Sequence, residues 1–226
     1  MNIGQRIEFH SHSLYSDGNL LPAAMVREAE LKGTKALAIT DHVDASNIDI
    51  VLRPLLNFIK REGKNLGLTL LPGVELSYIK PESIEKYAKW ARKLGAKIII
   101  VHGESPVESV YPGTNLAAVQ LKGLVDILAH PGNTTKEHVE LAKKNNIYLE
   151  LSAKNGHRDG NKHVAKLASE IDAKMLVGTD CHNEHSFITQ EEAFNVCRKA
   201  GLNQEQTIKI IKDNAEELLK KTKTLH

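Results

Sequence analysis

The sequence predicts an α/β protein in which parallel strands close into a barrel and gather their chemistry at one mouth. Three observations carry this prediction. Seven short apolar runs read as buried strands, helix-spaced amphipathic segments separate them, and six of the seven runs end on a histidine, aspartate or glutamate. Alternating strand and helix implies βαβ units, since parallel neighbours need a long crossover that a helix supplies. An open doubly wound sheet makes its crevice at one switch point, served by a few strands. A ring of strands brings every carboxyl end to one mouth, and ligands arriving from six strands favour the ring.

The predicted strands cover residues 6–9, 35–40, 68–74, 97–101, 125–129, 147–151 and 174–178. A helix is expected over 20–32, with Asn19 as N-cap, Pro22 in the first turn and Gly33 just past the end. Residues 48–64 repeat apolar side chains at helical spacing through Val51, Leu52, Leu55, Leu56 and Ile59. Further helices are expected over 81–94, closed by Gly95, and over 114–121. The 135–145 helix has acidic residues early and Lys143-Lys144 late, which suits the helix dipole. Helices over 161–171, 191–200 and 205–221 complete the pattern, with 222–226 fraying. No repeat, linker or low-complexity segment divides the chain, so one domain is expected over 1–226.

Composition narrows the class. Thirty basic and 28 acidic residues give no strong charge bias toward nucleic acid or a membrane surface. Two cysteines, Cys181 and Cys197, make no disulfide framework and suit a reducing cytoplasm. The first residues show no apolar secretory core, and no apolar run has the length of a membrane span. A cytoplasmic protein is therefore expected. The unusual feature is eleven histidines, more than packing requires.

Their positions are ordered. His10-Ser-His12 follows the first run, and in an extended chain residues i and i+2 face the same side. Asp17 returns a carboxylate nearby, just before Gly18. His42, Glu75, His102 and His130 end the next four strands, and Asp180-Cys-His182 repeats the same-face logic after the seventh. Imidazoles and carboxylates are the common ligands of zinc-like ions. Two or three divalent ions are needed to use His10, His12, Asp17, His42, Glu75, His102, His130, Asp180 and His182 at four or five ligands each. Asp41 is a candidate to orient His42. The sixth strand ends Tyr148-Leu149-Glu150-Leu151-Ser152 and supplies no matching ligand. The loop after it carries Lys154, His157 and Arg158, candidates for gripping a substrate phosphate. His157 or Glu104 is a candidate proton donor to the leaving group. His138, His163, His185 and His226 are expected to be ordinary.

The run of motifs His10-Ser-His12-Ser-Leu-Tyr-Ser-Asp17-Gly18, Thr40-Asp41-His42, Gly73-Val74-Glu75, His102, Ala129-His130-Pro131 and Asp180-Cys-His182 resembles the PHP superfamily, of polymerase and histidinol phosphatase domains. The resemblance implies a distorted (β/α)7 barrel with a trinuclear site, often zinc, manganese or iron. It implies one ion on His10, His12, Glu75 and Asp180, a second sharing Glu75 and adding His102 and His130, and a third on Asp17, His42 and His182. The expected chemistry is hydrolysis of a small phosphate monoester by a metal-bound hydroxide, the ions also neutralising phosphoryl oxygens. The chain departs from dedicated histidinol phosphatases at Ser16-Asp17-Gly18 and is shorter, which leaves the substrate open between histidinol phosphate and a nucleotide or sugar phosphate.

The same residues bear on three other readings. Phosphodiester or exonuclease action on single-stranded nucleic acid wants a basic groove and stacking rings, against one Trp, four Phe and five Tyr here. Amidohydrolases also begin with His-x-His, but need a bridging lysine that has no counterpart. A non-catalytic scaffold, like the related protein subunits of ribonuclease P, has no need of the full ligand set.

Overall fold

A computed structural model describes residues 2–224. Eight parallel strands alternate with nine α-helices among these residues. They run β1 (Arg6–Glu8), α1 (Pro22–Leu31), β2 (Thr34–Ile39), β3 (His42–Val43), α2 (Ile48–Glu62), β4 (Thr69–Leu76), α3 (Pro81–Leu94), β5 (Ile98–His102), α4 (Thr114–Gln120), β6 (Ile127–Ala129), α5 (Lys136–Asn145), β7 (Tyr148–Ser152), α6 (Asn161–Ile171), β8 (Met175–Gly178), α7 (Gln190–Lys199), α8 (Gln204–Ile208) and α9 (Ala215–Thr224). The sheet order is β1-β2-β4-β5-β6-β7-β8, and β3 is a short continuation that pairs with β4 through His42 and Glu75. The seven principal strands are those the apolar runs predict.

The ring closes between its first and last strands. Beyond regular β1, Ser11 bridges to Cys181, and His12 N donates to the Cys181 carbonyl at 2.8 Å. Below that, a buried Arg6–Glu8 pair stitches the seam: Arg6 Nη2 donates to the Val177 carbonyl, and Glu8 Oε1 accepts from His10 N and Thr179 N. The result is a nearly closed, TIM-like barrel.

Alternation along the strands fills the interior in layers. Ala36 and Ala38, Leu71, Ile98 and Ile100, Ile127 and Ala129, Tyr148 and Leu176 form the inner apolar cluster, with Ile7 and Phe9. Ala215, Leu218 and Leu219 of α9 belong to the same cluster. The opposite faces, such as Ile99, Val101, Leu149, Leu151 and Val177, pack outward in the larger core with the helices. Continuing the inward alternation to the carboxyl ends leads from Leu71 to Glu75, from Ile100 to His102, from Tyr148 to Glu150 and from Leu176 to Asp180. The apolar plug thus turns into a polar mouth two or four residues further along each of these strands.

Several local expectations change. Asn19 is not the cap of α1: Leu21 holds that position without a side-chain bond, and Pro22 opens the helix. The 205–221 helix is interrupted by a π-helical turn, Lys209–Asn214, between α8 and α9. The expected fraying begins too early, because α9 runs to Thr224 and Thr222 is buried. Residues 225–226, including His226, lie outside the described residues. No helix among the described residues is long and apolar enough to cross a membrane.

Candidate metal centre

The mouth brings the strand-end residues together. His10 Nε2 lies 3.2 Å from Glu75 Oε2 and 3.8 Å from Asp180 Oδ1. His12 Nε2 lies 3.4 Å and 3.2 Å from the same two oxygens. His130 Nε2 is 3.6 Å from Glu75 Oε1. Asp17, on the loop after β1, lies 3.1 Å from His182 Nε2 and 3.7 Å from His42 Nε2 through Oδ2. The loop reaches there by a close turn at Gly18, where any Cβ would meet the His12 carbonyl oxygen at 2.1 Å. His130 and Asp180 themselves adopt positive φ, 26° and 50°, a conformation non-glycine residues hold mainly where surrounding structure enforces it.

Ligand-type atoms fall into groups tight enough for single ions: His12, Asp17, His42 and His182; His10, Glu75 and His130; His10, His12 and Asp180; His130, His157 and Asp180. Eight of the nine residues singled out from the sequence enter such groups. His102 does not: its Nε2 is directed at Glu108 Oε2, 2.6 Å away. The fit to cations rests on a further observation. His10 Nε2, both nitrogens of His12 and of His130, both oxygens of Glu75 and Asp180 Oδ1 are buried with no hydrogen-bond partner. Each such atom costs about 1–3 kcal/mol when left unsatisfied. Oxygen and nitrogen atoms converging this way fit divalent ions.

The protein's own charges set the titration of these groups. Burial opposes charge on His10, but Glu150, Glu75 and Asp180 outweigh it and hold its pKa well above the usual imidazole value. His12 is driven down to about 3 by burial, with His42 and His10 adding to the effect. Burial, reinforced by His102, also lowers His130. Burial works against the charges of Glu75 and Asp180, yet neighbouring imidazoles, His10 foremost, keep both well below the usual carboxylate range.

Supporting residues complete the picture, and three of them change the expectations. The sixth principal strand does contribute: Glu150, fully buried, meets His10 Nδ1 at 2.6 Å from beneath. Gly178 leaves it room, since a Cβ there would stand 2.6 Å from the Glu150 carboxyl carbon. Asp41 does not orient His42; its oxygens accept from Ser13 N, Ser13 Oγ and Ser16 Oγ and so shape the loop that carries Asp17. His42 Nδ1 meets both Ser77 Oγ at 2.6 Å and Glu75 Oε2 at 2.9 Å. Glu104 is engaged away from the ligands, where Oε1 accepts from Gly113 N and Asn115 N at the start of α4, a helix-capping position.

The phosphate-binding expectations divide. Lys154 Nζ stands 3.0 Å from Asp180 Oδ2, in a cavity of about 400 Å³ shared with Asn155, His182 and Asn183. Arg158 is exposed and lines a separate cavity of about 630 Å³ with Lys162, Asn195 and Lys199, among none of the ligand residues. His157 is buried against the cluster, with Nδ1 on Ser105 Oγ at 2.7 Å and Nε2 3.2 Å from Glu108 Oε1. Glu150, Glu108 and Ser77 escaped the sequence reading. Glu150 carries a recognisable signal, a lone acid in an otherwise apolar strand. Glu108 and Ser77 carry none.

Fold and site together define a TIM-like barrel with a cluster of histidines and carboxylates at its mouth. Residues 8–153 match the PHP domain family, and the chain belongs to that family, one of metal-dependent phosphoesterases. It is 41% identical over 218 residues to an uncharacterized protein of Methanocaldococcus jannaschii, covering 96% of this chain and 99% of that one. A probable phosphatase of a Thermoanaerobacter strain is 26% identical over 235 residues, 96% of this chain and 95% of its own. Among solved structures, a chain in archaeal ribonuclease P with mature tRNA shares the fold with a TM-score of 0.73 at 16% identity, covering 96% of this chain and 92% of that chain. Histidinol phosphate phosphatase of Lactococcus lactis, complexed with zinc, L-histidinol and phosphate, shares it with a TM-score of 0.65 at 16% identity, over 88% and 94%.

Proposed function

We infer that the protein is a phosphatase that releases phosphate from a small monoester, histidinol phosphate or a nucleotide or sugar phosphate. The observation that carries this reading is the set of buried, unpartnered ligand atoms on His10, His12, Glu75, His130 and Asp180 at the barrel mouth. A scaffold has no use for such an array, which costs stability unless cations satisfy it. In this reading His10, His12, Asp17, His42, Glu75, His130, Asp180 and His182 hold two or three ions of zinc, manganese or iron, and His102 stands beside them with Nε2 on Glu108. Such ions would supply Lewis acidity and positive charge to offset that of the phosphoryl oxygens.

The chain's own groups do the rest. Glu150 fixes the His10 ring with Nε2 facing the cluster, and Ser77 fixes His42. Lys154 is the cation placed to receive a phosphate oxygen beside Asp180. Neither thiol is a nucleophile: burial pushes Cys181 far up and Cys197 to about 12. A cavity of about 400 Å³ beside Lys154 suits a small ester. Glu104 is engaged in capping α4, away from the ligands.

A phosphate-release screen tests this reading. Histidinol phosphate, nucleoside monophosphates, sugar phosphates and a chromogenic aryl phosphate are compared with an aryl diester and single-stranded RNA and DNA, each with Mn, Zn or Fe. Turnover of a monoester is expected to exceed that of every diester. Cleavage of RNA, DNA or the diester without monoester turnover overturns it.

A further inference from the structure

We propose that His157 is itself a metal ligand, completing a site with His130 and Asp180 that the PHP resemblance does not supply. This rests on the metal-centre reading above. A metal-bound histidine characteristically ties one ring nitrogen to a protein acceptor and presents the other to the ion. His10 ties Nδ1 to Glu150, His42 ties Nδ1 to Ser77, and His182 places Nδ1 2.8 Å from the Asp180 carbonyl. Each then turns Nε2 toward a carboxylate of the cluster.

His157 has the same arrangement. Its Nδ1 meets Ser105 Oγ at 2.7 Å, and its Nε2 lies 3.6 Å from Asp180 Oδ2. The ring is 3% exposed and stacks on His130 with centroids 4.0 Å apart. One ligand atom each from His130, His157 and Asp180 fall within 4.8 Å of one another, all three residues being buried. Asp180 Oδ2 already draws one cation, the Lys154 ammonium at 3.0 Å.

The remaining histidines sharpen the contrast. His163 gives Nε2 to the Thr134 carbonyl, and His138 places Nδ1 on the backbone of Thr135 in a capping box. His185 is solvent-exposed. None of them presents a nitrogen to a buried carboxylate. His102, which the resemblance pairs with His130, presents Nε2 to Glu108 on the 103–113 loop. Glu108 also reaches His157 Nε2 at 3.2 Å and so fastens that loop to both rings. The imidazole that joins His130 on the Asp180 side is therefore His157.

The test compares the full chain with His157→Ala, His157→Cys and, as a control outside the cluster, His163→Ala. Each is stripped with a chelator, reloaded with Co(II), and examined for cobalt content, chelator competition and visible absorption, with circular dichroism to verify folding. His157→Ala is expected to hold one Co(II) fewer than wild type, or to hold that ion at least tenfold more weakly. His157→Cys is expected to regain it and to show a sulfur-to-cobalt charge-transfer band absent from wild type, while His163→Ala matches wild type. Wild-type content and affinity in His157→Ala overturn the assignment. So does full loading of His157→Cys without a new band, which decides the matter even if the alanine variant fails to fold. If wild type takes up no Co(II), the metal-centre reading falls as well; normal wild-type loading with unchanged 157 variants removes only this proposal.

Discussion

Glu150→Gln isolates the electrostatic contribution of one buried carboxylate. Glu150 Oε2 stands 2.6 Å from His10 Nδ1, while Oε1 has no hydrogen-bond partner. The carboxylate's influence on the site therefore passes mainly through one contact. Glutamine keeps the shape and can keep that bond through its carbonyl oxygen, placing its amide where Oε1 stands, so the chief change is loss of charge. Hydrogen bonds to charged groups contribute about 1.5–3 kcal/mol. At about 1.4 kcal/mol per decade this is roughly a 10- to 150-fold loss of zinc affinity at the His10 site, in line with the 10- to 100-fold typical of such supporting residues. The assay is zinc competition against a chelating dye in alkaline buffer. Alkaline conditions matter because Glu150 also strengthens the hold of His10 on its proton, which competes with the ion. Wild-type zinc affinity in the folded Glu150→Gln protein would refute the reasoning.

Four further outcomes follow from the geometry. Asp17→Ala should remove one ion and largely spare the others, because Asp17 meets His42 and His182 at the rim; full metal content by elemental analysis contradicts this. Gly178→Ala forces a Cβ onto the Glu150 carboxyl and should cost about 1–3 kcal/mol in urea denaturation, with weakened zinc binding; a neutral substitution contradicts it. Arg158→Ala should leave KM for a small monoester within about twofold, whereas Lys154→Ala should raise it about tenfold or more, reflecting loss of a charged contact; steady-state kinetics on the best substrate distinguish them. The stability gained on metal loading should grow with pH. His10, His42, His102 and His182 have raised pKa values, so their stabilisation of the stripped protein is full below the unfolded imidazole value of about 6.5 and is lost as pH rises through the folded values. Ions bind the deprotonated rings, so the Tm difference between loaded and stripped protein should widen from about pH 5.5 to 8; a constant or shrinking difference contradicts this.

The sequence made the strand–helix order legible because each strand is a short apolar run bounded by helical spacing, and strand-end acids and imidazoles pointed to a barrel mouth. His10, His12, Glu75, His130 and Asp180 were legible for the same reason: each directly ends a buried run. What escaped depends on contacts across the mouth. Glu108 lies in an irregular loop, and only folding brings it to His102 and His157. Arg158 and His157 are adjacent in sequence, yet one faces a surface cavity and the other the cluster, because the 3-10 turn His157–Gly160 sends neighbouring side chains apart. Asp41 adjoins His42 but, one residue out of phase, turns to the serines of the first loop instead. Glu150 sits on the inward face of its strand, so strand alternation points it toward the mouth.

The most direct measurement is anomalous X-ray scattering from crystals of the protein reloaded with zinc or manganese and collected across the metal edge. Two or three anomalous peaks are expected within the ring formed by His10, His12, Asp17, His42, Glu75, His130, Asp180 and His182. Crystals of loaded protein with no anomalous peak among those side chains would contradict the metal-centre reading.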